Sequence, residues 1–193
     1  MCGCNAKFSM QPRSKLTGKT PAEKIVLRAR QEAKQRTLYD ASYQQIRYPG
    51  GDVPAGRGAC TDVIVRALRA VGYDLQKLIH DDKKAHPARY PQDGGLGKLD
   101  GNIDHRRISN HIAYLKSHAI SLTKEIDAGH LTEWQPGDLV YFNLGDGQQH
   151  CGIISDLKND QGTPLVIHNL GPTASENDCL GNWEIIGHFR MPH

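Results

Sequence analysis

The spacing of apolar residues changes period near Trp134, and that change constrains the fold more than any other feature of the chain. Before it, apolar residues recur at helical intervals: Ile25, Val26, Ala29, Ala33 and Leu38, then Val63, Ile64, Ala67, Leu68 and Val71, then Leu75, Leu78 and Ile79, and last Ile112 and Leu115. After it, short apolar runs at 138–143, 152–157, 165–169 and 183–190 are separated by turn signals, the pattern of antiparallel strands. Helices first and sheet second predict an α+β domain with N-terminal helices packed on an antiparallel sheet. The expected helices run from Pro21 to near Ser42, from Cys60 to Val71 with Gly72 as the stop, over 74–84, and from Ile108 to His118. Residues 1–20 are polar, carry Gly and Pro without periodicity, and read as a loose arm. The rest, 21–193, reads as one domain, since 193 residues are too few for two ordinary ones.

Between the first two helices lies a stretch too rich in Gly and Pro for regular structure, with Tyr48-Pro49-Gly50-Gly51 and Pro54-Ala55-Gly56-Arg57-Gly58. It delivers Cys60 to a helix N-terminus, where unpaired backbone N–H groups favour a thiolate. Small residues on the approach leave room for a substrate; the competing reading is a small core cysteine. Thiol catalysis needs an imidazole as base and a polar group to orient it. His150 heads one expected strand and His168 lies in the next, so antiparallel pairing would put both on one face of the sheet, opposite the helix bearing Cys60. A single strand histidine is more often structural, and two on neighbouring strands shift the balance toward a site.

Other chemistries fit poorly. The formal charge is +3 with Lys and Arg dispersed, which argues against a nucleic-acid partner. No apolar run approaches the roughly 20 residues of a membrane span, and no basic-then-apolar leader opens the chain. Met1-Cys2-Gly3-Cys4 is nevertheless compatible with the remainder of a removed signal or lipid anchor. Five cysteines without CxxC spacing argue against a full disulfide framework, and ten scattered histidines without an HExxH pair argue against a metal site; no cofactor is implied. Cys151, next to His150 on a strand, is expected to point away from the site into the core. The polar surroundings of Cys179 are compatible with exposure, and no role is assigned to it. The loop Asp104-His105-Arg106-Arg107 is equally a salt-bridge knot or a clamp for a substrate carboxylate.

Three segments, Gly58-Ala59-Cys60-Thr61-Asp62-Val63, Trp134-Gln135-Pro136-Gly137-Asp138-Leu139-Val140-Tyr141-Phe142 and His150-Cys151-Gly152-Ile153-Ile154, resemble the nucleophile helix, first strand and base strand of NlpC-type papain-like cysteine peptidases. Tyr48-Pro49-Gly50-Gly51 is similar to the Tyr and paired glycines upstream of that family's cysteine. The segments 73–80, 102–107 and 166–171 resemble a bacterial family of unknown function within the superfamily. The resemblance spans about residues 40 to 190. It implies a papain-like fold with Cys60 as nucleophile, His150 as base, His168 as its orienting residue and Tyr48 as an oxyanion donor. It also implies an exported bacterial peptidase or amidase acting on cell-wall stem peptides. Asp62 stands where many relatives carry Gly, and the segment 74–118 is longer than theirs, so both bear on substrate choice. Two alternatives stay open: an acyl transferase of transglutaminase type, and a binding module that kept the fold without turnover.

Overall fold

The computed structural model describes residues 14–192. Four helices, α1 (Pro21–Lys34), α2 (Cys60–Arg69), α3 (Leu75–Ala85) and α4 (Ile108–His118), precede most of the sheet. Two short strands, β1 (Leu38–Tyr39) and β2 (Arg57–Gly58), pair in parallel. The main sheet holds β3 (Ile120–Ser121), β4 (Leu139–Gly145), β5 (Gln148–Lys158), β6 (Pro164–His168), β7 (Ser175–Asn177) and β8 (Glu184–Arg190) in the order β3-β8-β4-β5-β6-β7, with every pairing antiparallel. The α+β expectation matches this mixed architecture of helices and antiparallel sheet. The four expected strands form its centre, and the short edge strands β3 and β7 escaped the sequence reading.

α1 starts with a capping box: Thr20 Oγ1 accepts from the Glu23 N–H at 3.2 Å, while the Glu23 carboxylate accepts from the Thr20 N–H at 3.3 Å. It ends at Lys34, not near Ser42. Arg36 takes a left-handed conformation (φ 52°), the Thr37 N–H donates to the Glu32 carbonyl, and the chain turns out into β1. A glycine, the usual sequence mark of such a stop, is missing there. Residues 14–20 also depart from the loose-arm expectation: Leu16 packs against the core and Ser14 Oγ accepts from Arg30 Nη1 at 3.0 Å. Residues 1–13 of that arm, with Cys2 and Cys4, lie outside the described residues.

The sheet has two apolar faces, as period-2 alternation requires. Leu139, Tyr141, Cys151, Ile153 and Ile167 face the helices, where Ile25, Val63, Ile64 and Leu68 cover them. Val140, Phe142, Ile154 and Val166 face the other way, under Trp134, Cys179 and Leu180. The Trp134–Asp138 segment is the corner that enters β4. Trp134 stacks on His188 with centroids 3.7 Å apart, and the Asp138 carboxylate accepts from the Gln135 N–H, His188 Nε2 and Arg190. Gly137 (φ +91°) is required at this corner, because a Cβ would meet the Ala22 carbonyl oxygen at 3.1 Å. No helix among the described residues is long and apolar enough to cross a membrane.

Candidate active site

Cys60 is the first residue of α2, buried except for 7% of its surface. The helix start is held by Asp62, whose Oδ2 accepts from the Ala59 N–H at 2.6 Å, half of a capping box built from the third helical position. Asp62 is itself clamped by Arg106, with Nε donating to Oδ1 at 3.0 Å and Nη2 to Oδ2 at 2.9 Å. Gly58 is needed beside this pair, since a Cβ there would sit 2.9 Å from Asp62 Cβ. The approach to Cys60 is fixed from the end of β6 as well: Asn169, the residue after that strand, donates through Nδ2 to the Gly58 carbonyl at 2.8 Å and to that of Thr37 at 3.2 Å.

His150 and His168 share a sheet face, because His168 lies opposite Gly152, two residues on from His150. His150 Nε2 and His168 Nδ1 are 2.8 Å apart. That face is the one turned away from α2, contrary to expectation: His150 stacks beside Phe142 and meets Trp183 edge to face, and Cys151 is the residue beneath the helix. The His150 ring still reaches the Cys60 thiol, because Cys60 stands at the end of the sheet where Gly147, in the turn before β5, and Gln149, at its start, border the same cleft. With Nε2 engaged by His168, Nδ1 is the ring nitrogen left for the thiol. No hydrogen bond of ordinary geometry closes between them among the described residues.

Cys151 does occupy the core, as expected, yet it does not point away from the site. Its thiol lies against that of Cys60. The nearby Cys151 thiol, and then the His150 ring, hold the Cys60 pKa well below that of an ordinary cysteine against the opposing effect of burial. Burial, and then the neighbouring Cys60, push the Cys151 thiol well up. Tyr141 lies near both sulfurs, but its proton is committed elsewhere. Burial holds His111 neutral, down to about 4; its Nε2 must donate to the His105 carbonyl at 2.6 Å, so its Nδ1 accepts the Tyr141 O–H at 3.0 Å.

His168 is lowered to about 4 by burial and by its neighbour His150. Its Nε2 faces Cys179 Sγ at 3.6 Å. Cys179 is therefore buried, not exposed, and burial with the Asp178 charge pushes its thiol up to about 12. Two polar residues nearby, Ser175 and Asn177, belong to an edge strand, and the polar look of the segment hid its inward-facing sulfur.

The remaining candidates separate. Tyr48 is not at the cleft: its hydroxyl donates to Asp81 and its ring packs on His80. Tyr39 is there instead, its hydroxyl pushed up by burial and by the adjacent Cys60. Sequence reasoning missed it by extending α1 through it. Asp104 is an internal ion-pair partner of Lys83 at 2.8 Å, and His105 is buried and lowered to about 3. Arg106 and Arg107 both line the cleft, which encloses about 300 Å³ beside Cys60. Among the described residues, no three His, Cys, Asp or Glu side chains gather as a metal site would require.

Fold and cleft together define an α+β domain presenting a buried cysteine at a helix N-terminus beside two hydrogen-bonded histidines. The chain belongs to a family described as a domain of unknown function (DUF1287), whose model matches residues 26–191. The uncharacterized protein YijF of Escherichia coli (strain K12) is 45% identical over 162 residues, covering 84% of this chain and 78% of that protein. The crystal structure of an N-acetylmuramoyl-L-alanine amidase from Bacteroides uniformis superposes with a TM-score of 0.53 over 90% of this chain and 99% of that one, at 12% identity, a likeness of fold.

Proposed function

We propose that this protein is a cysteine amidase or peptidase of the NlpC-type papain-like class, acting on an amide bond of bacterial cell-wall peptides. The observation that carries the reading is the convergence of a depressed Cys60 thiol, at a helix N-terminus and on a cleft, with the His150–His168 pair. The fold likeness to a protein named as an N-acetylmuramoyl-L-alanine amidase supports the choice of substrate.

In this mechanism the Cys60 thiolate attacks the carbonyl carbon and His150 Nδ1 gives its proton to the amine as the C–N bond breaks; water, deprotonated by the same nitrogen, then attacks the resulting thioester, releasing the carboxylic acid and the Cys60 thiol. The imidazolium that forms donates from Nε2 to His168 Nδ1, which requires the His168 proton to sit on Nε2, toward Cys179 Sγ. The low His168 pKa supports this arrangement, because a neutral ring can accept. The Cys60 N–H, at the first turn of α2, and the Tyr39 hydroxyl are the donors suited to the oxyanion. Such a substrate would place the enzyme outside the cytoplasm. The test is mass spectrometry of muropeptides incubated with the wild-type protein and with Cys60→Ala. Cleavage by the wild type alone supports the reading; no cleavage by either, or equal cleavage by both, refutes it.

A further inference from the structure

We infer that the cleft beside Cys60 contains a subsite for a substrate carboxylate, gripped by Arg107, so that the acyl compound attacked carries an anionic group close to its scissile carbonyl. The inference deepens the proposed function and rests on Cys60 facing this cleft as nucleophile. It also resolves the ambiguity of the Asp104–Arg107 loop, because the two readings of that loop fall on different residues.

Arg106 is the knot. Its Nε and Nη2 donate to Asp62, its Nη1 to the Ser42 carbonyl at 2.7 Å and its Nη2 to the Asp40 carbonyl at 2.9 Å, and its side chain is 2% exposed. Its charge is neutralised in place. Arg107 differs on each count. Its side chain is 29% exposed, and its one hydrogen bond to a carboxylate among the described residues, from Nη1 to Asp104 Oδ1, is long at 3.4 Å. That carboxylate is already served by Lys83 Nζ at 2.8 Å, by the Asp100 N–H at 2.8 Å and by Asn110 Nδ2 at 3.3 Å. Arg107 thus brings a planar, permanently charged fork to the cleft wall with little of its donor capacity committed.

The rest of the cleft has the matching sign. Among the described residues no carboxylate lines it. α4 begins at the same wall with Ile108 and Ser109, and its N-terminal dipole adds to the positive potential that Arg107 supplies. Tyr39 and Gln149 provide neutral donors and acceptors for the peptide groups on either side. A cleft of about 300 Å³ has room for one residue's side chain and its carboxylate.

The test compares the rates at which iodoacetate and iodoacetamide alkylate Cys60. In both, the thiolate sulfur forms a bond to the CH₂ carbon and iodide leaves with the electron pair of the C–I bond; one reagent carries a carboxylate where the other carries an amide. Any change in thiol reactivity cancels in the ratio of the two rates. The ratio at Cys60 should exceed that of free cysteine by roughly 10-fold, the scale of one hydrogen bond to a charged group, and should fall with added salt. Arg107→Gln should bring it most of the way back to the free-cysteine value, and Arg107→Lys should keep a larger part of it. The lysine variant keeps the comparison readable if the glutamine variant does not fold. A ratio equal to that of free cysteine in the wild type, or unaltered by Arg107→Gln, overturns the subsite while leaving muropeptide cleavage and the nucleophile intact. Failure of both reagents to modify Cys60 overturns the subsite together with the nucleophile.

Discussion

Replacing Asp62 by Asn removes the charge beneath the nucleophile helix while nearly preserving its shape. The carboxylate takes three donors at once, the Ala59 N–H at 2.6 Å and Arg106 Nε and Nη2 at 3.0 and 2.9 Å, and the two side chains are 3% and 2% exposed. Loss of one partner strands the other as a buried, uncompensated charge, which costs about 3–5 kcal/mol. At about 2–4 °C per kcal/mol for a chain of this size, the thermal midpoint should fall by roughly 6–20 °C. The remaining Arg106 donors, to the Ser42 and Asp40 carbonyls, hold the guanidinium in place and keep it from escaping to water. Thermal and urea unfolding followed by circular dichroism measure the loss, and a double-mutant cycle with Arg106→Met isolates the pair. The double variant should be little worse than Asp62→Asn alone, because removing both charges leaves no orphan. An Asp62→Asn variant within about 1 kcal/mol of wild type, or fully additive losses in the cycle, would refute the reasoning.

The other expectations concern the site and its histidines. His150→Ala should nearly abolish muropeptide turnover, whereas His168→Gln, which keeps a hydrogen-bonding side chain, should lose less than the roughly 10²- to 10⁴-fold typical of general acid–base groups; the reverse ranking in steady-state assays would exchange their roles. Tyr39→Phe should lower kcat by about 10-fold or more while leaving KM nearly unchanged, if its hydroxyl meets the oxyanion only in the transition state; a loss confined to KM would assign it to substrate binding. Acid should destabilise the fold in a defined window. His105 at about 3, and His111 and His168 at about 4, all lie below the unfolded value near 6.5. Unfolding therefore takes up protons as the pH drops below about 6.5, and stability, complete above that value, falls by up to about 1.4 kcal/mol per pH unit for each histidine down to about pH 4. Urea midpoints measured from pH 7 to pH 4 check this, and a flat profile would contradict it.

Much of the architecture was legible because one physical signal governed it. The helices from Cys60 and from Ile108, and the central strands β4, β5, β6 and β8, bury an apolar face, so their period appears in the sequence. What escaped depends on local geometry or on long-range contact. α1 stops at a left-handed Arg36 instead of a glycine, and this hid β1 and with it Tyr39. The strand alternation placed His150 and Cys151 on opposite faces correctly, but it does not encode where α2 ends relative to the sheet. Cys60 therefore meets side chains from both faces at the sheet's end. The Asp104–Arg107 loop was readable as charged, whereas the division of labour between Arg106 and Arg107 depends on Asp62 and on Lys83, 44 and 21 residues away in sequence from the groups they pair with.

The central claim is that Cys60 is the activated thiol. Rates of alkylation by iodoacetamide, measured from pH 4 to pH 10 with peptide mapping of Cys60, Cys151 and Cys179, address it directly. Cys60 should react first, with an inflection well below the ordinary cysteine value near 8.5, and His150→Ala should move that inflection upward, since the ring is among the groups that lower it. Cys60 inert, or titrating as an ordinary thiol while Cys179 reacts ahead of it, would contradict the account.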